Sequence, residues 1–205
     1  EESGREYYER WELLNAYSGC MLGNPAISVL ADAYAKGICS LDMEKAYRYA
    51  DKTSRMFGNA ELGYTPNPQS ISKNLEYAYT EWCMSQLAKS LGKQDPREAN
   101  GRFEAWPEEG KLKEWYGCME CNELQQGWFV PHDIPGMVEL MGGTERGIAD
   151  LDTMFDKTPT DFLWNAYYNH ANEQVHHVPF LYNHLGQPWK TQKWSSFICD
   201  KAYKN

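Results

Sequence analysis

The stretch between Ser70 and Gly92 constrains the fold strongly, because an apolar side chain recurs there at every fourth position. That spacing puts one apolar stripe on a single face of an α-helix. Large side chains such as Tyr77 and Trp82 lie off the stripe, so this helix is predicted to face neighbours on more than one side. The stripe consists of Leu75, Tyr79, Cys83, Leu87 and Leu91.

The rest of the chain carries the start and stop signals of further helices. Asn24-Pro25 is typical of a helix start, and Gly37 ends the helix that follows. Ser40 is predicted to cap a second helix that runs to about Phe57. No segment shows sustained apolar–polar alternation, so an all-α fold of about seven helices is predicted. The other predicted helices run from Pro135 to Met141, from a cap at Thr144 through Phe155, around Val175–Leu185 and from Pro188 through Ile198, with loops at Asn59–Gln69 and Lys93–Gly110.

The charge and hydropathy patterns argue against several kinds of partner. The chain has 29 acidic and 20 basic residues, a formal charge of -9, and no basic run. Nucleic-acid affinity rests on Lys and Arg that neutralise phosphates, so no nucleic-acid partner is expected. No apolar run approaches the roughly 18 residues of a spanning helix, so no membrane insertion is expected. The first residues lack the apolar core of a signal peptide, so any leader was removed or never belonged to this segment.

Polar chemistry is densest between Tyr116 and Asp133, which reads YGCMECNELQQGWFVPHD. Glu120 and Glu123 are three residues apart and share one face if the segment is helical. Two carboxylates held close together cannot both ionise cheaply, and apolar neighbours strengthen that effect, so one of them is a candidate general acid. A solvated helix face with a core behind it explains the same residues, and this alternative stays open.

Cys118 and Cys121 form a C-x-x-C pair inside the same stretch. This spacing suits a redox pair or half of a zinc site. A structural zinc ion needs four ligands, no second C-x-x-C exists, and the adjacent His176 and His177 lack the usual histidine spacing. A thiol or zinc protein is therefore a third functional alternative. The 6 cysteines of the chain are too sparse for a small disulfide framework.

A second polar cluster, NHANEQVHHVPFLYN, spans residues 169–183. Polar groups that converge on a hydroxyl-rich ligand would give this pattern. A capped helix start with hydrogen-bonded core histidines would give it equally, and a His/Glu transition-metal site is a further alternative that lacks the H-E-x-x-H spacing. The cluster contains His170, Asn172, Glu173, His176 and His177.

Four stretches of the chain resemble glycoside hydrolase family 92, the exo-acting α-mannosidases, and their loops agree as well as their helices. The resemblance implies a catalytic domain that is an (α/α)6 toroid of helical hairpins, preceded in full-length proteins by a β-sandwich. It also implies calcium-dependent hydrolysis of terminal α-linked mannose with inversion at the anomeric carbon. The stretches are MLGNPAISVLADAYAKGI at 21–38, GYTPNPQSISKNLEYAYTEWCMSQLAKSLGK at 63–93, ECNELQQGWFVPHDIPGMVELMGG at 120–143 and NHANEQVHHVPFLYNHLGQPWKTQKW at 169–194.

The resemblance also implies roles for individual residues. The family motif E-G-N-A-W-Q-Y-x-W-F-V-P-H-D aligns with ECNELQQGWFVPHD, and its first glutamate, the general acid, falls on Glu120. Glu123 stands where the motif has no acidic residue. An Asn-Glu or His-Glu pair that contacts mannose and the leaving sugar falls on Asn172 and Glu173, and such a pair favours α-1,2 linkages. With the neighbouring polar cluster, the predicted substrate-binding residues are Gln125, Trp128, His132, Asp133, Asn172, Glu173, His176 and His177, while the calcium ligands are not assigned.

Two departures from the family pattern bear on activity. The insert after the helix that ends in LGK is short here and covers only Gln94–Gly110. The family's catalytic base lies in a later motif, G-N-[DE]-D-x-G-Q-x-S-A-W, and this sequence ends at Asn205 before it. An inverting glycosidase needs a second carboxylate about 6.5–9.5 Å from the acid. Residues 1–205 are therefore predicted to be one segment of the toroid, without the β-sandwich and the C-terminal part of the barrel, and inactive alone.

The predicted partners are a mannose-containing glycan and the remainder of the chain's own catalytic domain, which would cover an apolar face of this segment. The resemblance implies a periplasmic or secreted bacterial enzyme. A non-catalytic carbohydrate-binding helical domain is the alternative from another functional class. Cleavage of an α-mannoside, as opposed to binding alone, separates the two.

Overall fold

The computed structural model describes residues 4–14, 16–19, 22–38, 40–57, 70–95 and 117–203. The predicted loop at 59–69 and most of the one at 93–110 lie outside these ranges. The chain forms two compact units, Glu1–Ala105 and Trp106–Asn205. The described residues are mostly helical, which confirms the predicted helical class. None of the helices in the described ranges is both long and apolar enough to cross a membrane.

Within its described ranges, the first unit forms a short antiparallel hairpin and three helices. In the hairpin Glu12 lies opposite Tyr17, and Leu13 lies opposite Ala16. The first helix begins at Pro25, where a missing amide hydrogen costs no hydrogen bond, as predicted. The elements are β1 (Glu12–Leu13), β2 (Ala16–Tyr17), α1 (Pro25–Ala35), α2 (Met43–Phe57) and α3 (Ser70–Ser90).

The core of the first unit lies where α1 and α2 pack against α3. Met84 and Leu87 of α3 are almost fully buried there, against the small Ala46 and Ala50 of α2. The predicted stripe of α3 is confirmed at its centre, and the residues beside it are buried as well. The buried members of α3 include Leu75, Tyr77, Ala78, Glu81, Cys83, Met84, Leu87 and Ala88.

The described residues of the second unit, 117–203, form five helices and two 3₁₀ turns. Its aromatic core surrounds Phe155, whose ring stacks on Trp194 with centroids 4.8 Å apart. Tyr168 and Tyr182 pack on the same ring at 4.9 and 5.9 Å. The helices are α4 (Glu123–Gln126), α5 (Ile134–Leu140), α6 (Thr144–Asp156), α7 (Leu181–His184) and α8 (Pro188–Ala202).

Two predicted helix caps are wrong. Asp42 rather than Ser40 caps α2, because its Oδ1 accepts from the Lys45 amide at 3.2 Å. Helix α6 has Gly143 at its N-cap, with φ 98, and Thr144 is its first helical residue. Glycine adopts that left-handed backbone without the steric cost that a β-carbon brings.

The predicted continuous helix around Val175–Leu185 is also wrong. Two 3₁₀ turns, Glu173–Val175 and Val178–Phe180, precede α7 instead. Pro179 lies inside the second turn and has no amide hydrogen to donate, so a regular helical ladder cannot run through it. The chain therefore turns tightly here and keeps the preceding residues in a loop.

Candidate active site

The loop that carries Glu120 does not have the predicted conformation. Glu120 lies before α4 with a left-handed backbone (φ 57), and its side chain is exposed. Helix α4 is a single turn that begins only at Glu123. The expectation that these two carboxylates share one helical face is therefore wrong, because the helix begins too late.

A capping box fixes the start of α4. The Asn122 side chain accepts from the Gln125 amide at 3.0 Å, and Gln125 Oε1 accepts from the Asn122 amide at 3.2 Å. The spacing Asn-x-x-Gln is a sequence signal for this motif, which was not among the predicted features. The reciprocal pair holds the chain directly after Glu120 in one conformation.

The same two side chains also tie α4 to the loop at 165–167. Gln125 Nε2 donates to the carbonyls of Asn165 (2.8 Å) and Tyr167 (2.6 Å), and Asn122 Nδ2 donates to that of Ala166 (2.9 Å). Gln125 is 2% exposed. Its amide therefore positions two loops, and direct contact with a sugar stays a prediction.

Asn165 shapes the partner loop from within. Its Nδ2 donates to the carbonyls of Leu163 (2.8 Å) and Tyr168 (3.0 Å), and its Oδ1 accepts from the Tyr167 amide at 2.7 Å. An asparagine that bonds to nearby backbone in this way stabilises a turn. Sequence reasoning missed this residue, although asparagine in a non-helical stretch is the signal for such a turn.

Asn172 connects the second polar cluster to the Glu120 loop. Its Nδ2 donates to the Glu120 carbonyl at 2.9 Å. Its Oδ1 is buried and has no hydrogen-bond partner within the part of the chain that the structure describes. Glu173 follows in the next position with an exposed side chain. The structure thus brings the Glu120 backbone and the Asn172 side chain together.

His177 supports the segment after α4. Its Nε2 donates to the Trp128 carbonyl at 2.7 Å, and its ring meets Phe129 edge-on with centroids 5.5 Å apart. Burial lowers the pKa of His177, although its hydrogen bonds to backbone oppose that shift. Trp128 is 3% exposed and belongs to the core. Both residues therefore act here as support, and their contact with substrate stays a prediction.

His132 and Asp133 stand at the start of α5. Asp133 Oδ1 accepts from the Gly136 amide at 3.0 Å and caps that helix. Burial lowers the pKa of His132, and the adjacent Asp133 carboxylate partly opposes this. The proline-made bend predicted at this point is present as a turn, and Asp133 is exposed on it.

The rings of His170 and His176 contact each other in a tilted arrangement, with centroids 4.9 Å apart. His170 bonds through Nδ1 to the Tyr168 hydroxyl and through Nε2 to the Tyr203 hydroxyl, both at 2.8 Å. His176 Nε2 donates to the His170 carbonyl at 3.1 Å. Burial, and to a smaller extent the neighbouring His176, lowers the pKa of His170. His176 is exposed and lies four residues from the Asn172 amide.

These features define the class of the protein: a helical domain whose candidate site is built from loops held by side-chain amides, with an exposed carboxylate beside them. Residues 2–96 and 94–205 match the profile of the glycosyl hydrolase family 92 catalytic domain. The chain belongs to glycosyl hydrolase family 92. The predicted family is therefore confirmed.

Solved structures of this family resemble the chain over almost its whole length. The GH92 α-mannosidase BT3965 from Bacteroides thetaiotaomicron, in complex with mannoimidazole, is 28% identical with a TM-score of 0.79, over 98% of this chain and 33% of that one. The GH92 inverting mannosidase BT2199 from Bacteroides thetaiotaomicron VPI-5482 is 30% identical with a TM-score of 0.78, over 96% of this chain and 34% of that one. The chain thus spans about a third of their length.

A curated relative adds information about cellular context. An uncharacterized secreted glycosidase of Arthroderma benhamiae is 23% identical over 234 residues, which cover 81% of this chain and 29% of the relative. This relative is also far longer than the sequence in hand.

Proposed function

We propose that this chain is part of the catalytic domain of an exo-acting α-mannosidase, in which Glu120 is the general acid. Family membership and the two solved mannosidases support the reaction class. One observation carries the residue assignment: Asn172 Nδ2 donates to the Glu120 carbonyl. This bond puts the carboxylate-bearing residue beside the Asn172–Glu173 pair that the resemblance assigns to the sugar.

In the proposed reaction Glu120 donates a proton to the glycosidic oxygen as the bond to the anomeric carbon breaks. Its exposed side chain is open to a ligand from outside the unit. Asn172 is proposed to bind a sugar hydroxyl on the basis of the resemblance. Its Oδ1 is buried and has no donor among the described residues, so the loop must move for a hydroxyl to reach it. Glu173 is proposed to bind a second hydroxyl. His176, three residues further along the chain, and His132, just before α5, are also proposed to contact the sugar.

The catalytic base is proposed to lie outside residues 1–205. Inversion requires a water molecule between two carboxylates about 6.5–9.5 Å apart. Asp133 is a poor substitute for the base, since its Oδ1 already caps α5. We therefore propose that the chain is one segment of an (α/α)6 toroid, that the rest of the toroid supplies the base and covers the apolar face, and that residues 1–205 alone are inactive.

Calcium is proposed as the cofactor on the basis of the family resemblance. Calcium binds oxygen ligands, usually six to eight of them. The described ranges contain no group of three or more His, Cys, Asp and Glu side chains that could hold a metal ion. The Asn172 amide oxygen and the Glu173 carboxylate are donors of the right kind, but they do not make a calcium site by themselves.

The proposed substrate is a glycan that ends in α-linked mannose, with a preference for α-1,2 linkages. The Asn172–Glu173 pair supports that preference, and the secreted relative supports an extracytoplasmic location. A purified full-length protein should hydrolyse α-1,2-mannobiose faster than the α-1,3 and α-1,6 isomers and leave α-glucosides intact. Proton NMR should show β-mannose as the first product. A chelator should abolish the activity and added calcium should restore it. Binding of mannobiose without any cleavage would instead favour a carbohydrate-binding domain.

A further inference from the structure

Two thiols bracket the proposed acid in the sequence. Cys118 and Cys121 lie on either side of Glu120, and both are thiols in the structure. A hydrogen bond joins their side chains. Cys118 is half-buried and Cys121 is 2% exposed. Cys118 is therefore the more accessible of the two side chains.

The backbone around the pair is already a tight turn. Gly117 and Glu120 both have left-handed backbones, with φ of 99 and 57. The Glu120 carbonyl is held by Asn172, and the Cys121 thiol donates to Gln126 Oε1 at 3.1 Å. The two sulfurs are thus held in contact by a loop that is fixed on its far side.

The environment of the accessible thiol makes it slow to react. The hydrogen bond to Cys121, together with burial, raises the pKa of the Cys118 thiol. The thiolate is the nucleophile in thiol chemistry, so the pair exchanges slowly at neutral pH. This argues against a fast redox catalyst and fits a pair that, once oxidised, is not easily exchanged. A two-thiol set is also too small to hold zinc, which requires four ligands.

We propose that Cys118 and Cys121 are an oxidative modification site, at which a small-molecule disulfide converts the thiol pair into an intraloop disulfide that encloses Glu120. The Cys118 thiolate attacks one sulfur of the oxidant, and the first small thiol leaves. The Cys121 thiolate then attacks Cys118 Sγ in the mixed disulfide, and the second small thiol leaves. The protein loses two electrons and two protons, which the oxidant gains as two thiols.

The covalent ring would restrict the backbone of Met119 and Glu120. Oxidising compartments favour such bonds, and a curated relative of this chain is secreted. The inference does not depend on mannosidase activity, since it concerns the state of two sulfurs. An active enzyme without this disulfide and an inactive protein with it are distinguishable results.

The test uses the full-length protein treated with oxidised glutathione, followed by alkylation of remaining thiols and peptide mapping. We expect one peptide to contain an internal Cys118–Cys121 disulfide. The rate of its formation should rise about tenfold per pH unit in the mildly alkaline range, because it follows the thiolate population. Amide hydrogen exchange at Met119 and Glu120 should slow after oxidation. Cys199→Ser, which removes an exposed thiol on α8, is the matched control and should leave ring closure unchanged.

Cys118→Ser should leave Cys121 unmodified, because the buried sulfur then has no accessible partner. Thermal unfolding of this variant checks that the unit still folds. A stable glutathione adduct on Cys118 without ring closure would overturn the proposal. So would a disulfide from either residue to another cysteine, or a pair that stays reduced while Cys199 is fully modified.

Discussion

The interactions that stabilise the helical core of the first unit differ from those that stabilise the site loops of the second unit. In the first unit apolar side chains of α1, α2 and α3 form the contacts, with Met84 fully buried among them. In the second, amides reach carbonyls about forty residues away, as Gln125 does with Tyr167 over a separation of 42 residues. Apolar packing is non-directional and tolerates exchange of similar side chains, whereas each amide bond requires one geometry.

The contrast between apolar packing and directional amide bonds predicts which substitutions should affect stability and which should affect activity. Loss of a methylene group in the first core leaves a cavity and lowers the free energy of unfolding. Loss of an amide in the second unit frees a loop that carries a proposed catalytic residue.

Leu87→Ala in α3 should lower the free energy of unfolding by about 2–5 kcal/mol, because Leu87 is almost fully buried and the cavity cannot close completely. The kcat of the protein that remains folded should hardly change. Urea denaturation and an assay at low temperature provide the two measurements. Ser90→Ala, at an exposed position of the same helix, is the control and should shift stability by less than about 0.5 kcal/mol. A large fall in kcat with Leu87→Ala would contradict the expectation that substitutions in this core affect stability and not activity.

Gln125→Leu should lower kcat strongly and stability only moderately. The change leaves the carbonyls of Asn165 and Tyr167 without their donor, which costs about 1–3 kcal/mol of stability. Displacement of the Glu120 loop by about 1 Å should lower kcat about a hundredfold. Stopped assays on mannobiose and thermal unfolding give both values. The matched exchange Gln86→Leu, at an exposed site on α3, should leave kcat unchanged.

Asn172→Ala should lower kcat/KM about tenfold, since one hydrogen bond of about 1 kcal/mol to the Glu120 carbonyl is lost together with a proposed sugar contact. The loss should appear in KM as well as in kcat, which a purely structural role would not produce. Asn183→Ala, an exposed asparagine on α7, serves as the comparison. If Asn172→Ala and Asn183→Ala had the same kcat and KM, Asn172 would have no role in the site.

Lowering the pH should gradually decrease the free energy of unfolding of the second unit. Because burial lowers the pKa of His177, the unfolded chain binds a proton near its ordinary value of about 6.5 before the folded chain does. Stability conferred by neutral His177 is therefore present above that pH and is lost as the pH falls below it. His177→Asn should flatten the pH dependence of the free energy of unfolding, and His184→Asn, at an exposed position of α7, should not. An unchanged slope for His177→Asn would place the acid-sensitive group elsewhere.

The sequence predicts the first unit better than the site. Periodicity places α1, α2 and α3 within a few residues, because the apolar spacing of Leu75, Cys83 and Leu87 reports directly on a buried helical face. The site depends on long-range bonds that no local pattern specifies. Gln125 was predicted to bind sugar, yet its amide spans two loops. The left-handed backbone of Glu120 had no sequence signal, and the asparagine at 165 indicates a turn without specifying which carbonyls its amide binds.

The most direct test compares Glu120→Gln with Glu123→Gln on two α-mannosides, one with a sugar leaving group and one with an acidic dinitrophenol. A general acid contributes about 10²–10⁴-fold, and an acidic phenol needs little protonation to leave. The kcat of Glu120→Gln should therefore fall about 10²–10⁴-fold on mannobiose and far less on the dinitrophenyl substrate. The kcat of Glu123→Gln should stay near that of the wild type on both. Equal losses on both substrates, or the larger loss in Glu123→Gln, would contradict the assignment of Glu120 as the proton donor.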